Sequence, residues 1–359
     1  MFRLEARPAP SRLLTIASPL LALAITVLVG VALFIALGKD PVAGLRMFFI
    51  EPLKTGYAWS ELSVKATPLV LIALGLAVCF RANLWNIGAE GQFVMGAIFA
   101  GGVAMQATAD SSRWLIVAVL LAGVVGGMFW AAIVALLRDR FNASEILVSL
   151  MLVYVAEMVL SYLVYGPWKD PQGYNFPQTI TFLEAARVPK LITGFRLNMG
   201  VIVAAVAVLV FTVFLFRTYA GYQLQVGGLA PAAARYAGFS SRKALWTALL
   251  LSGGMAGLAG ALDVAGPQGQ LTPYVPMGYG FAAIIVAFVG RLHPVGIVFS
   301  AVLMSMFFIG GELAQSRLGL PKALTGVFQG LLLFALLACD TFIHQRLRWV
   351  GFATQARTA

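Results

Sequence analysis

The chain has 359 residues, of which 60% are hydrophobic and only 11% charged, with a net charge of +11 and a mean hydropathy of +0.90. A soluble domain of this size has no use for so much apolar surface, and repeated apolar runs of about 20 residues indicate membrane-spanning helices. The basic residues stand singly at the ends of those runs, which excludes a nucleic-acid-binding patch and fits positive charge retained on the cytoplasmic side.

The chain opens with Arg3, Arg7 and Arg12, followed by an apolar run from Leu13 to Leu37. That run is too long for a signal-peptide core and has no small-x-small cleavage site, so it reads as the first span after a cytoplasmic tail of residues 1–14. Further spans are predicted near 66–80, 87–107, 114–137, 146–165, 199–216, 244–264, 279–290, 294–310 and 322–339, with a cytoplasmic tail at 340–359. The fold class is all-α: one polytopic transmembrane domain over 1–359 with about ten helices. The placement of Arg81, Arg138, Arg140 and Arg291 at short loops gives an N-in, C-in orientation. Cys79 and Cys339 fall near cytoplasmic span ends, where a structural disulfide is not expected.

Several spans read as interrupted. The second has about 15 residues and runs into Phe80–Gln92 (FRANLWNIGAEGQ); the eighth has about 12 and is flanked by the Gly/Pro-rich segments Gly266–Gly280 and Gly290–Pro294. Backbone that leaves the helix at membrane depth must be buried in protein or line a watery cavity. Short, interrupted spans at matching places in two halves point to a transport site, and spans two to five would match seven to ten as an inverted repeat. The outer loop 166–198 is long for a structureless connection, and Thr179–Lys190 is expected to form a short helix at the outer interface.

The segment Arg217–Lys243 is the longest on the basic side. Gly227 and Gly228 read as breaks, Pro231 suits the first turn of a new helix, Ala232, Ala233 and Ala234 favour it, and Gly238 stops it. Pattern alone leaves an ordinary loop and a docking surface for a cytoplasmic partner equally open.

Ionisable groups inside spans are few, costly and informative. Asn86 and Glu90 are expected one turn apart on one helix face, Gln92 follows, and Glu145 and Ser149 share a face at the inner start of the fifth span. Glu157 lies deeper on that helix and Asp263 near the outer end of the seventh. Each has a plain structural reading: a cap, a helix-terminus charge, or an interhelical hydrogen bond. Phe281, Trp85 and Tyr154 could stack on a flat ligand or simply pack. The pathway candidates are Asn86, Glu90, Gln92, Glu145, Ser149 and Phe281. The glycine pairs Gly123/Gly127 and Gly253/Gly257 predict close helix packing. His293 and His344 have no metal-ligand spacing, and neither a nucleophile elbow nor a phosphate loop is present, so the chain reads as a non-enzyme without a metal or cofactor of its own.

Four motifs together carry a resemblance. Phe80–Gln92 is similar to F-R-A-x-L-x-N-I-G-x-E-G-Q, Ser144–Tyr154 to N-E-V-I-x-T-L-M-L-N-Y, Gly221–Gly238 to G-x-x-L-R-A-V-G-x-N-x-x-A-A-x-Y-A-G, and Gly278–Gly290 to G-Y-G-F-D-G-I-A-V-A-L-L-G. In this order, over roughly residues 60–340, they resemble inner-membrane permeases of ABC importers in the branched-chain amino acid/ribose permease family, in its nucleoside and simple-sugar branch. The resemblance implies a multi-pass protein of the bacterial inner membrane that imports nucleosides or related compounds by alternating access. Its alternative is a simple sugar, and an ion-coupled secondary transporter is the rival class. Implied partners are cytoplasmic ATPase subunits carrying ATP and Mg, an extracytoplasmic solute-binding protein, and a second permease chain, identical or paralogous. The segment 217–243 then becomes a coupling helix, with Gly227, Ala230, Ala232, Ala233, Tyr236, Ala237 and Gly238 matching the motif. Departures fall at Gln225, Leu229–Ala230, Ala282 and Val153, where the family has polar or charged groups; they leave the fold expectation intact and the solute open.

Overall fold

A computed structural model describes residues 2–6 and 12–349. The parts of the expected tails at 7–11 and 350–359 lie outside the described residues. The helices are α1 (Arg12–Ala36), α2 (Pro41–Phe49), α3 (Gly56–Arg81), α4 (Ala89–Ala104), α5 (Leu115–Phe141), α6 (Glu145–Tyr165), α7 (Gly200–Arg217), α8 (Tyr219–Leu229), α9 (Pro231–Tyr236), α10 (Ser241–Asp263), α11 (Tyr279–Val289), α12 (Pro294–Leu318) and α13 (Ala323–His344). Among the described residues, eight of these are long and apolar enough to cross a membrane, while α4 and α11 are shorter. The all-α polytopic class holds, with one addition: strands β1 (Phe2–Ala6) and β2 (Gln345–Trp349) pair antiparallel.

Local chemistry sets the boundaries. Side-chain oxygens of Thr55, Ser144, Thr218 and Ser240 accept from the N–H of Ala58, Leu147, Gly221 and Lys243, capping α3, α6, α8 and α10. Asn142 ends α5 in the left-handed conformation at φ 50°, and α12 begins at Pro294, as the His293-Pro pair predicts. The second span is not interrupted. Thr55 starts α3 ten residues before the apolar window, and Pro68 is accommodated within 26 continuous helical residues. The real departure from helix lies after it, at 82–88, and a π turn carries α10 on to Gln268.

The chain forms two compact units, 1–52 with 307–359, and 53–306. In the first, Phe34, Phe48, Phe307 and Phe328 make one aromatic cluster with ring centroids 4.9–6.3 Å apart, and the Ser18 hydroxyl donates to Asp340 at 2.6 Å.

The second unit is built on α3 and α10, whose apolar windows are 89% and 78% buried. Their neighbours approach through glycines. A side chain at Gly96 would overlap the backbone of Gly257, one at Gly127 would overlap Gly253 and Gly257, and one at Gly75 would meet Ser252 Cα at 2.8 Å. The Gly123/Gly127 and Gly253/Gly257 pairs make the close packing that small-residue spacing predicts, and they make it with each other, as the α5–α10 seam.

The segment Thr179–Lys190 is not the expected helix. It runs mostly extended along residues 265–271, with the N–H groups of Thr179, Phe182 and Val188 donating to Leu271, Gly269 and Ala265, and only Glu184–Ala186 makes a single 3₁₀ turn. Buried Thr179, Phe182, Ala186 and Val188 hold it there. The physical reason is that its backbone N–H groups find their acceptors in the 265–271 segment and not four residues back along their own chain.

Candidate functional site

Two neighbourhoods in the second unit collect the chemistry. The first is the polar seam where the chain leaves α3 and enters α4. Asn86 lies before α4 begins, so it does not share a helix face with Glu90 and caps no helix. Its side-chain amide instead pairs reciprocally with Gln92, at 2.9 and 3.0 Å, and donates to the Ser252 hydroxyl at 2.9 Å. All three are buried. The network closes on itself and ties the 82–88 segment to α4 and α10.

Glu90, in the first turn of α4, turns its carboxylate on the start of α11. One oxygen accepts from the Gly278 N–H at 2.8 Å and the other from the Gly280 N–H. The N–H groups at a helix start have no partners within the helix, and a buried carboxylate supplies them. The approach requires glycine at 280, where a Cβ would overlap the Glu90 backbone.

Ser149 is buried against Gly88 and donates to Ile146 at 3.2 Å. Glu145 pairs with Arg138 at 3.3 Å across the turn that joins α5 to α6. Phe281 stands 40% exposed at the start of α11. The six pathway candidates therefore divide: Asn86, Gln92 and Glu90 join one buried junction of α4, α10 and α11, Ser149 packs beside it, and Glu145 and Phe281 stand apart. Trp85 stacks with Phe80 and Phe288, at 5.4 and 6.1 Å, as part of a packed aromatic group. Asp263 accepts from the Gln268 amide, closing the π turn after α10.

The second neighbourhood is the end of the unit where basic residues gather. Helix α9 starts at Pro231 and stops at Gly238, which takes φ +80°. Ala234 is its buried residue; Ala230, Ala232, Ala233, Ala237 and Gly238 are exposed, and Tyr236 is 97% exposed. Gly227 is half-buried at the rim of a groove of about 510 Å³ that also takes in Ala82, Leu224, Pro231, Arg235 and Lys243.

Gly227 and Gly228 do not break the chain. Both sit inside α8, and Gly228 is needed for a close approach: a Cβ there would fall 2.9 Å from the Ala82 carbonyl carbon. Beside it, Arg81 donates through Nη1 to Gln225 Oε1 at 2.7 Å and through Nε to the Leu292 carbonyl at 3.0 Å. Gln225 in turn donates to the Leu215 carbonyl at 2.7 Å, and the guanidinium lies 5.1 Å from the Phe216 ring centroid. Arg81 thus joins the end of α3 to α7, α8 and the 290–293 turn. Sequence reasoning missed it because the partners are 144 and 211 residues away; the Gln225 departure was the one local hint. Arg242 and Asp139, 2.7 Å apart, tie the start of α10 to the end of α5.

Residues 59–337 match the family model described as branched-chain amino acid transport system permease component. The chain is 33% identical to a glucose ABC transporter permease protein of Haloferax volcanii, over 99% of this chain and 95% of that one. It is 30% identical to a guanosine ABC transporter permease protein of Bacillus subtilis, over 86% of this chain and 89% of that one. A nucleoside ABC transporter permease protein of Lactococcus lactis is 27% identical, with 88% and 89% covered.

Proposed function

The chain belongs to the branched-chain amino acid transport system permease family, and on that premise we propose that it imports nucleosides or closely related compounds. It is a multi-pass inner-membrane permease subunit of an ABC importer; it is not itself an enzyme, and ATP hydrolysis belongs to a separate ATPase subunit. A solute-binding protein completes the machine on the outer side. The observation that carries the solute class is the set of relatives, whose named solutes are guanosine, nucleosides and glucose. A simple sugar is the second reading, favoured by the 33% identity to the glucose permease.

In this reading the basic end is cytoplasmic, and the pairing of β1 with β2 supports both termini lying on one side. Helix α9 is the coupling helix. Its outward Ala232, Ala233, Tyr236 and Ala237 sit in a groove of the ATPase, while Ala234 anchors it to the permease. When nucleotide closes the ATPase pair, α9 and α8 are pushed together. The Gly228 approach and the Arg81–Gln225 bond hand that displacement to α3, whose apolar window is 89% buried. ATP can shift the equilibrium between outward and inward access only through contacts that differ between the two states, and the α9 surface is where this chain supplies them. A second permease chain, identical or paralogous, completes the pathway.

Uptake by proteoliposomes containing the permease, its ATPase and its solute-binding protein tests this. ATP-dependent accumulation of labelled guanosine is expected; accumulation of glucose alone selects the sugar reading. Uphill transport by the permease with no ATPase present would overturn both.

A further inference from the structure

Three of the six pathway candidates, Asn86, Glu90 and Gln92, are consumed by helix packing, which turns attention to polar groups that packing does not use. Helix α6 has a row of them. Its buried stripe is Ser149, Val153, Ala156, Leu160 and Val164. Flanking that stripe on one side, at spacings i, i+3, i+7 and i+11, stand Tyr154, Glu157, Ser161 and Tyr165. Tyr154 and Tyr165 are exposed, and Glu157 and Ser161 are half-buried. None of the four makes a hydrogen bond or ion pair among the described residues. The inner part of the same flank is Leu147 and Leu150, and the opposite flank carries Val155 and Val159.

Glu157 lies about 18 Å along the helix from Glu145 and about 12 Å from Tyr165, well inside a hydrocarbon layer of about 30 Å. A carboxylate at that depth does not face lipid. Ser161 adds an independent observation. Five hydroxyls elsewhere in the spans, those of Thr26, Thr67, Thr212, Ser300 and Ser305, donate to the carbonyl four residues back. Ser161 does not, and is left available for an outside partner.

We propose that Tyr154, Glu157, Ser161 and Tyr165 line the outer half of the solute pathway and bind a neutral, polyhydroxylated solute. The chemistry matches residue by residue. An ionised carboxylate accepts only, and its two oxygens suit the adjacent hydroxyls of a ribose or a pyranose. The serine hydroxyl both donates and accepts, and tyrosine rings offer a face to a sugar or base and a hydroxyl to water. This inference rests on the importer reading above and names the surface that meets its solute.

Two measurements on the assembled importer decide it. In a background with Cys79 and Cys339 replaced, Glu157→Cys is treated with a membrane-impermeant methanethiosulfonate in proteoliposomes, with and without ATP. Labelling in at least one state is expected. No labelling in either state overturns the proposal whatever the solute is. The second measurement is uptake of guanosine and glucose by Glu157→Gln and Glu157→Ala variants that purify as monodisperse complexes. At least a tenfold fall in the uptake of whichever solute wild type moves is expected. Unchanged uptake overturns the inference and leaves the importer reading standing. A wild-type importer that moves neither solute instead overturns the solute class on which both rest.

Discussion

The guanidinium of Arg81 donates to the side-chain carbonyl of Gln225 at 2.7 Å, closing the end of α3 onto the helix that leads into α9. This bond turns a peripheral helix into part of the core, because Arg81 also holds the Leu292 carbonyl at 3.0 Å. A hydrogen bond to a charged group contributes about 1.5–3 kcal/mol, and the half-buried setting puts this one at the low end. Gln225→Leu and Arg81→Ala are therefore expected to lower transport per ATP hydrolysed by about tenfold, corresponding to ~1.4 kcal/mol. ATPase binding should survive in both. The measurement is solute uptake and phosphate release in the same vesicles; an unchanged ratio would remove Arg81 from the coupling route.

Glu90 gives a second prediction. Its two oxygens hold the N–H groups of Gly278 and Gly280 at the start of α11. Glu90→Ala leaves both without an acceptor, at roughly 1–3 kcal/mol for each buried group. Glu90→Gln keeps one acceptor and should lose about half as much. Thermal unfolding in detergent should rank wild type above Gln above Ala. Purified Glu90→Gln should still transport, since the role assigned to this carboxylate is to join α4 to α11. If Glu90→Gln is as stable as wild type but inert in transport, Glu90 contacts solute after all.

The glycine seam is tested by contrast. Gly96 and Gly257 touch backbone to backbone, whereas Gly326 and Gly330 in α13 face open space. Overpacking a dense core costs about 1–3 kcal/mol even when side chains can yield, and a backbone neighbour yields less. Gly96→Val should abolish recovery of monodisperse protein. Gly326→Ala and Gly330→Ala should leave it intact or raise its unfolding temperature, since alanine exceeds glycine in helix propensity by up to about 1 kcal/mol.

These predictions separate what the sequence could show from what it could not. Spacing of four residues in Gly123/Gly127 and Gly253/Gly257 is local, and it predicted close helix packing; that the two pairs meet each other is visible only in the structure. Pro231 and Gly238 bound α9 because φ restrictions act on single residues. The same local logic misread Gly228, whose purpose is set by the backbone of Arg81 and Ala82 more than 140 residues earlier. Asn86 and Glu90 show the limit most clearly. Hydropathy marks a buried polar group as unusual but does not distinguish solute contact from a hydrogen bond to Gln92, Ser252 or Gly280, because the partner, not the residue, decides. Glu157 is the converse: it was visible as a mid-span acid, and only the absence of a hydrogen-bond or ion-pair partner among the described residues gives it weight.

The last prediction concerns Tyr236, on the far side of α9 from its buried anchor. At 97% exposure it contributes almost nothing to the fold, and surface substitutions of this kind change stability by about 0.5 kcal/mol or less. A tyrosine placed at the centre of a protein interface, by contrast, often accounts for 2 kcal/mol or more of the binding energy. Tyr236→Ala should therefore leave the unfolding temperature of the permease unchanged and weaken its association with the ATPase by about thirtyfold. Tyr174, 94% exposed in the 166–198 loop, is the matched control, since its loss should not affect the ATPase. Ala234→Arg provides the opposite failure: it forces a charge into the buried side of α9 and should detach the helix from its own chain. Co-purification of ATPase with each variant, alongside its unfolding temperature, reads all three. Equal ATPase recovery with Tyr236→Ala and Tyr174→Ala would move the coupling surface off α9, and the wall of the groove at Ser241, Lys243 and Ala244 would then be the place to look for it.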